Sequence, residues 1–230
     1  MNQVKACVFD AYGTLFDVHS AVRAHASSIG VNADALSRLW RTKQLEYTWV
    51  RSMMRKHADF AAVTEASLDF AMASFGIVDP ALRAALLGAY HTLDAYPEVP
   101  DVLRALRGAG IATAILSNGS PAMLANVVAS ARLENLFDAV LSVEEVGIYK
   151  PDARVYQLAL DRLGTSPEEI SFQSSNAWDA AGARAFGMRV VWINRSGQPD
   201  EYELSAAGVE VRSLAELPEM LRGSFGSRPR

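Results

Sequence analysis

The run Val8-Phe9-Asp10-Ala11-Tyr12-Gly13-Thr14-Leu15 decides how this chain reads. Residues 4–9 are mostly apolar and end on an acid, followed by a glycine-containing turn. A strand buried on both faces has that appearance. In open parallel sheets ligands bind just beyond the carboxyl ends of strands, which is where Asp10 falls. Working outward, apolar runs at 5–9, 111–116, 139–142, 170–173 and 190–193 read as buried strands. Most of them alternate with helical patterns, as in a parallel sheet covered on both faces. Residues 152–163 illustrate the helical half. Pro151 and Asp152 suit a helix start, Val155, Leu158, Ala159 and Leu163 make one apolar face, and Gly164 can end it. Residues 177–186 read the same way and stop at Gly187.

Residues 17–95 break this alternation, with no convincing strand and much helical patterning, including 36–56. The economical interpretation is an all-helical insertion after the first strand, with Pro97 and Pro100 marking the return hinge. The expected fold class is α/β: a doubly wound, Rossmann-like parallel sheet core with an inserted all-helical cap. The core takes 1–16 and 97–222, the cap 17–96, and a flexible tail 223–230 (GSFGSRPR).

Composition narrows the function. The 230 residues carry a formal net charge of −4, with Lys and Arg scattered, so no basic stripe suits nucleic acid. Cys7 is the only cysteine, which excludes an internal disulfide and argues against a Cys-based metal site; it reads as a small buried hydrophobe. There is no signal-peptide pattern, and the apolar runs fall short of a bilayer span, so a cytoplasmic enzyme without membrane contact is expected. His19, His25, His57 and His91 fit no metal spacing or triad and read as structural or exposed. The chain lacks a P-loop, a G-x-G-x-x-G and a G-x-S-x-G, which argues against nucleotide binding and α/β-hydrolase chemistry.

Four polar clusters fall at strand ends: Asp10 to Thr14, Ser117-Asn118-Gly119, Lys150-Pro151, and Ser174-Ser175-Asn176-Ala177-Trp178-Asp179. Any one alone is as readily a turn. Together they assemble carboxylates, a lysine and amides at equivalent places. With residues 40–49 (WRTKQLEYTW), these motifs resemble the haloacid dehalogenase superfamily and, within it, the L-2-haloacid dehalogenases. The core motifs span nearly the whole chain in the expected order.

The chemistry can be argued from the residues as well. A carboxylate such as Asp10 is a competent nucleophile at neutral pH. Phosphatases of this superfamily place a second acid two positions later to protonate the departing alkoxide. Tyr12 stands there instead, and halide leaves without a proton. Related phosphatases also hold Mg²⁺ with an acid in the last motif, which here begins Ser174-Ser175-Asn176 and keeps only Asp179. A haloacid carries one negative charge, which Lys150, hydroxyls and backbone N–H groups can hold. No metal or organic cofactor is expected.

The resemblance implies that Asp10 attacks C2 of a small 2-haloacid to form an ester, which water then hydrolyses. It implies that Arg41 and Asn118 stabilise halide, while Thr14, Ser117, Ser174 and Lys150 position the substrate carboxylate or the nucleophile. Asn176 and Asp179 would assist hydrolysis, with Asp179 also a partner that orients Lys150, and Tyr156 would hydrogen-bond in the same site. Ala11, Tyr12, Leu45, Phe60 and Trp178 are expected at the substrate, the larger four as water-excluding walls or as ordinary packing. Thr42 stands where many members carry Gln, which bears on pocket shape. Relatives are often homodimers. Competing readings are a phosphatase on a small phosphorylated metabolite, a non-catalytic binding protein on the same fold, and this chemistry with a different natural substrate. The missing acid after Asp10 counts against the first, and joint retention of Asp10, Lys150, Asn176 and Asp179 against the second.

Overall fold

The computed structural model describes residues 4–223. Strand β1 (Ala6–Phe9) is followed by helices α1 (Ser20–Ala24), α2 (Ala26–Ile29), α3 (Ala33–Met54), α4 (Phe60–Ser74) and α5 (Pro80–Tyr90) before any further named strand. Then come α6 (Val99–Gly108), β2 (Ala112–Ser117), α7 (Pro121–Ser130), β3 (Ala139–Ser142) and α8 (Ala153–Leu163). The chain continues with β4 (Ile170–Ser174), α9 (Ala177–Phe186), β5 (Arg189–Ile193), α10 (Leu204–Ala207), β6 (Val209–Val211) and α11 (Leu217–Gly223). The strands form one parallel sheet of order β3-β2-β1-β4-β5-β6. The core is therefore doubly wound, and the inserted helices form its cap.

The order reverses around β1, which is flanked by β2 (Ala6 opposite Ala112) and β4 (Ala6 opposite Ile170). A crevice opens at such a reversal, beyond the carboxyl ends of the strands. β1 is buried throughout, in keeping with its apolar sequence. On the flanking helices the apolar side chains recur at helical spacing, as with Val99, Val102, Leu103 and Leu106 of α6. Local chemistry sets the helix ends. Asp152 caps α8 by accepting from the Arg154 N–H, and Gly164 ends that helix in the left-handed region.

Two differences from the sequence-based expectation have physical causes. β6 went unrecognised because it is three residues long, with only Val211 buried, and lies at the sheet edge. Pro100 does not mark a hinge. It occupies the first turn of α6, where a missing N–H costs nothing. The return to the core is made earlier, by a bridge between Phe16 and Ala95. Beside it, Asp17 N–H donates to Asp94 O (2.8 Å) and Tyr96 N–H to Leu15 O (3.0 Å). Arg195 binds this crossing from below: it stacks on Tyr96 (3.7 Å), pairs with Glu98 (2.6 Å) and donates to the Thr14 carbonyl (2.9 Å).

Gly223 closes α11, and the rest of the expected tail lies outside the described residues. Among the described residues no helix is long and apolar enough to cross a membrane.

Candidate active site

Asp10 leaves the end of β1 with its backbone N–H donating to Gln173 O (2.9 Å), so it starts from the middle of the sheet. The turn behind it depends on Gly13, whose φ of +93° falls in the left-handed region. The Ala11 carbonyl accepts from Leu15 and Phe16, which folds the turn under the carboxylate, and Ala11 itself is buried. Thr14 Oγ1 then donates to Asp10 Oδ2 (3.2 Å) while accepting from the Ser175 N–H (2.8 Å). Asn176 Nδ2 donates to the same Oδ2 at 2.8 Å, and Lys150 Nζ reaches Oδ1 at 3.1 Å. Asp10 is 6% exposed, so these bonds act with little screening by water.

Lys150 is 1% exposed and is shared between two carboxylates, with Asp179 Oδ2 at 2.8 Å. Burial opposes its charge, but the fields of Asp10 and Asp179 outweigh burial and hold its pKa above the ordinary value. Asp179 is fully buried. Burial pushes its carboxyl up to about 6, with Lys150 pulling the other way. Tyr156 donates to Asp179 Oδ1 (2.8 Å) and so belongs to the site through Asp179. The Lys150 backbone N–H donates to Asn118 Oδ1 (3.1 Å), which ties the loop that follows β3 to the end of β2. Lys150 lies well beyond Ser142, where β3 ends, and not directly at a strand end as expected. Ser117 Oγ and Ser174 Oγ accept from the N–H groups of Gly119 (3.0 Å) and Asn176 (3.1 Å) and so shape the two turns.

The cap brings Arg41 over this cluster. Its Nη2 lies 3.3 Å from the Tyr12 carbonyl and 3.4 Å from Asn176 Oδ1, both core atoms. Around it is an aromatic wall: Tyr12 stacks on Tyr90 (5.5 Å) and lies against Phe60 (5.6 Å), while Trp40 meets Tyr90 (5.1 Å). The Tyr12 hydroxyl is buried without a partner, and burial raises its pKa well above the ordinary value. Gly119 allows the close approach of Tyr12, since a Cβ there would lie 2.7 Å from the ring. Leu45 is half-buried; Trp178, also half-buried, meets Trp49 of the cap edge to face at 5.4 Å. Thr42 is exposed. His57 is structural, paired with Glu144 of the core at 2.8 Å.

The structure thus gathers Asp10, Thr14, Arg41, Lys150, Tyr156, Asn176 and Asp179 into one bonded cluster, with Asn118 joined through the Lys150 backbone. Sequence reading passed over Ser175, Arg195 and Gln44 as individual residues. Ser175 stood inside a recognised motif. Arg195 follows a strand end, the one signal it carried. Gln44 lies one helical turn beyond Arg41, on the buried side of α3.

The donor set does not suit the divalent cation that related phosphatases use. A hard cation needs several oxygen ligands, whereas Asp10 faces N–H donors from Lys150 and Asn176. Among the described residues no three His, Cys, Asp or Glu side chains form a metal-binding group.

A buried carboxylate at the carboxyl edge of a doubly wound sheet, charge-paired to a lysine and roofed by helices, is an arrangement suited to a carboxylate nucleophile. Residues 4–187 match the haloacid dehalogenase-like hydrolase family, and the chain belongs to that family. It is 50% identical to (S)-2-haloacid dehalogenase 1 of Pseudomonas sp. (strain CBS-3), over 96% of this chain and 98% of that one. Identity to (S)-2-haloacid dehalogenase 4A of Burkholderia cepacia is 47%, over 96% of both. The structure of L-2-haloacid dehalogenase from Xanthobacter autotrophicus with chloropropionic acid covalently bound matches with a TM-score of 0.89 at 36% identity. That match covers 96% of this chain and all of the other.

Proposed function

We propose that this protein hydrolyses short L-2-haloalkanoic acids to D-2-hydroxy acids and halide, through an ester on Asp10 and without a metal ion. The observation that carries the reading is the environment of Asp10. Its carboxylate is held by N–H and O–H donors, and the position that would supply a leaving-group acid is Tyr12, a buried phenol of raised pKa. In the first step such a site can displace a group that leaves as an anion, whereas Tyr12 is a poor acid for a departing alkoxide.

In the first step one Asp10 oxygen attacks C2 opposite the halogen, the C–X bond breaks, and C2 inverts. Arg41 and Asn118 receive the halide. Ser117, Ser174, Thr14 and Lys150 hold the substrate carboxylate and the nucleophile, with Tyr12, Leu45, Phe60 and Trp178 excluding water. In the second step water adds to the ester carbonyl carbon of Asp10, whose oxygens keep the Lys150 and Asn176 donors. On collapse the bond between the carbonyl carbon and the C2 oxygen breaks. The departing alkoxide takes up the proton that water gave up and leaves as the hydroxy acid, and the second proton of water is lost as the Asp10 carboxylate is restored. Asp179, with a pKa of about 6, is matched to accepting the proton that water loses near neutral pH. Core 1–16 and 97–222 supplies the nucleophile, and cap 17–96 supplies Arg41 and most of the wall. The same reading places the enzyme in the cytoplasm, as a homodimer.

Halide release from L- and D-2-chloropropionate, with and without EDTA, tests the proposal. Release from the L form that survives EDTA is expected. No release from either, with magnesium-dependent cleavage of a phosphate ester, would return the phosphatase reading. Arg41→Ala should lower the rate of ester formation by roughly 10²–10³, the scale for loss of one charge stabiliser. A rapid-quench assay that finds ester formation unchanged would remove Arg41 from the reaction.

A pH dependence follows from Asp179. A carboxyl raised to about 6 is anionic above that pH and gains a proton as pH falls through it. Ester hydrolysis should therefore fall on an acid limb centred near 6, and the limb should vanish in Asp179→Asn along with most activity. Single-turnover decay of the ester between mildly acidic and neutral pH measures it. A flat profile would exclude Asp179 as the base.

A further inference from the structure

Gln44 is 1% exposed and makes three directional side-chain bonds. Its Oε1 accepts from Arg41 Nη1 at 2.7 Å and from the Tyr90 hydroxyl at 3.1 Å, and its Nε2 donates to Thr64 Oγ1 at 2.8 Å. The orientation of the amide is determined by Thr64. That hydroxyl has one proton, which it gives to the Phe60 carbonyl at 2.7 Å, so it can only accept from Gln44. The nitrogen must face Thr64, and the oxygen must face Arg41. Thr64 is itself fixed, since its carbonyl accepts from the Trp40 indole (3.0 Å) and the Ser67 hydroxyl (3.0 Å).

Arg41 therefore has one short bond, to Gln44, and two long ones, to the Tyr12 carbonyl and Asn176. The short bond lies within the cap, and the long ones point toward the nucleophile. We propose that Gln44 is a positioning residue that holds the Arg41 guanidinium over Asp10, leaving its Nη2 edge to receive the departing halide; this rests on the dehalogenase reading above. Gln44 and Thr64 are buried and directionally bonded, so the flexible Arg41 side chain is held by a fixed acceptor before substrate arrives. The chemical identity of the anchor matters equally. A glutamate at 44 would hold Arg41 as well but would cancel its charge, weakening its pull on an anion in a dry site. An amide orients the guanidinium and leaves it cationic.

The experiment uses Gln44→Met, which keeps length and volume, and Gln44→Glu, which keeps the acceptor. The first readout is the order of the Arg41 side chain, from its ¹⁵N–¹H NMR signal. The second is single-turnover ester formation from 2-chloro- and 2-bromopropionate. In Gln44→Met the Arg41 signal should lose order, and the chloride rate should fall by about 10–10²-fold, the scale for small misplacement of a catalytic group. Bromide should fall less, because the better leaving group needs less stabilisation. In Gln44→Glu the Arg41 signal should stay ordered while the chloride rate still falls. Ester hydrolysis should be unaltered in both. If Gln44→Met lowers the melting temperature too far, Thr64→Val releases the amide with a smaller change, and Thr64→Ser should restore the chloride-to-bromide ratio. An ordered Arg41 in Gln44→Met, or equal losses for both halides, would overturn the positioning role. If the unaltered protein releases no halide from either acid, the dehalogenase reading fails, while loss of Arg41 order in Gln44→Met still establishes what holds the guanidinium.

Discussion

Asp10→Asn is expected to abolish steady-state halide release, because the amide lacks the charge that makes the carboxylate a nucleophile. The structure makes this a clean test. Asn at this position keeps the volume, and its oxygen can still accept from Lys150, Asn176 or Thr14. The fold should survive, and the loss would lie in the chemistry. Heavy-oxygen water gives the complementary result for the unaltered protein. In a single turnover with enzyme in excess, the product takes its new oxygen from the Asp10 carboxylate, and water replaces that oxygen in the enzyme. Mass spectrometry of the peptide containing Asp10 should show one heavy oxygen, and the first product none. Label found in the product alone would mean that water attacks C2 directly, which would sink the covalent scheme.

The second large effect is expected from Lys150→Met. Its ammonium lies 3.1 Å from Asp10 and 2.8 Å from Asp179, and all three groups are buried. Methionine fills similar space but leaves two carboxylates without their shared cation. Breaking a buried ion pair by removing one partner costs about 3–5 kcal/mol, so both stability and activity should drop sharply. The pH dependence of that deficit has a definite sign. Asp179 already has a raised pKa, and loss of Lys150 raises it further. A carboxyl whose pKa is higher folded than unfolded binds more protons in the native state, so its penalty shrinks as pH falls through the folded value. Urea denaturation near neutral pH and at about one pH unit below the raised Asp179 value should therefore show the variant approaching the unaltered protein in acid. A deficit independent of pH would mean that lost packing, and not buried charge, is what matters.

The core was legible in sequence wherever burial on both faces left an unbroken apolar run. β1 and β5 are such cases. β2, β3 and β4 were legible from mainly apolar runs despite Thr113, the exposed Val140, Ser171 and Gln173, and α9 matches the expected 177–186 because Gly187 ends it at φ +106°. β6 was hidden because a three-residue edge strand needs only one buried side chain. Strand ends likewise marked Asp10, Ser117, Ser174 and the residues after them, since the topology sends every such end to one crevice. Arg41 could be suspected only from its aromatic neighbours and the resemblance. Its distance from Asp10 along the chain is closed by the packing of α3, which no local pattern encodes. Gln44 and Arg195 were less visible still. Their importance lies in which carbonyls and hydroxyls they meet, and those partners come from other elements: Tyr90 and Thr64 for the one, Thr14 and Glu98 for the other.

The crossing of the two linkers has an evolutionary consequence. Phe16 and Ala95 are bridged, so everything between them enters and leaves the core through a single point. The sheet order does not depend on what is threaded there, because β1 and β2 pair directly. The cap is therefore an exchangeable cassette. Its lining can drift to suit a different acid while β1 keeps its pairing and holds Asp10 in register, as long as the contacts that Arg41, Trp49 and His57 make with the core are kept or replaced.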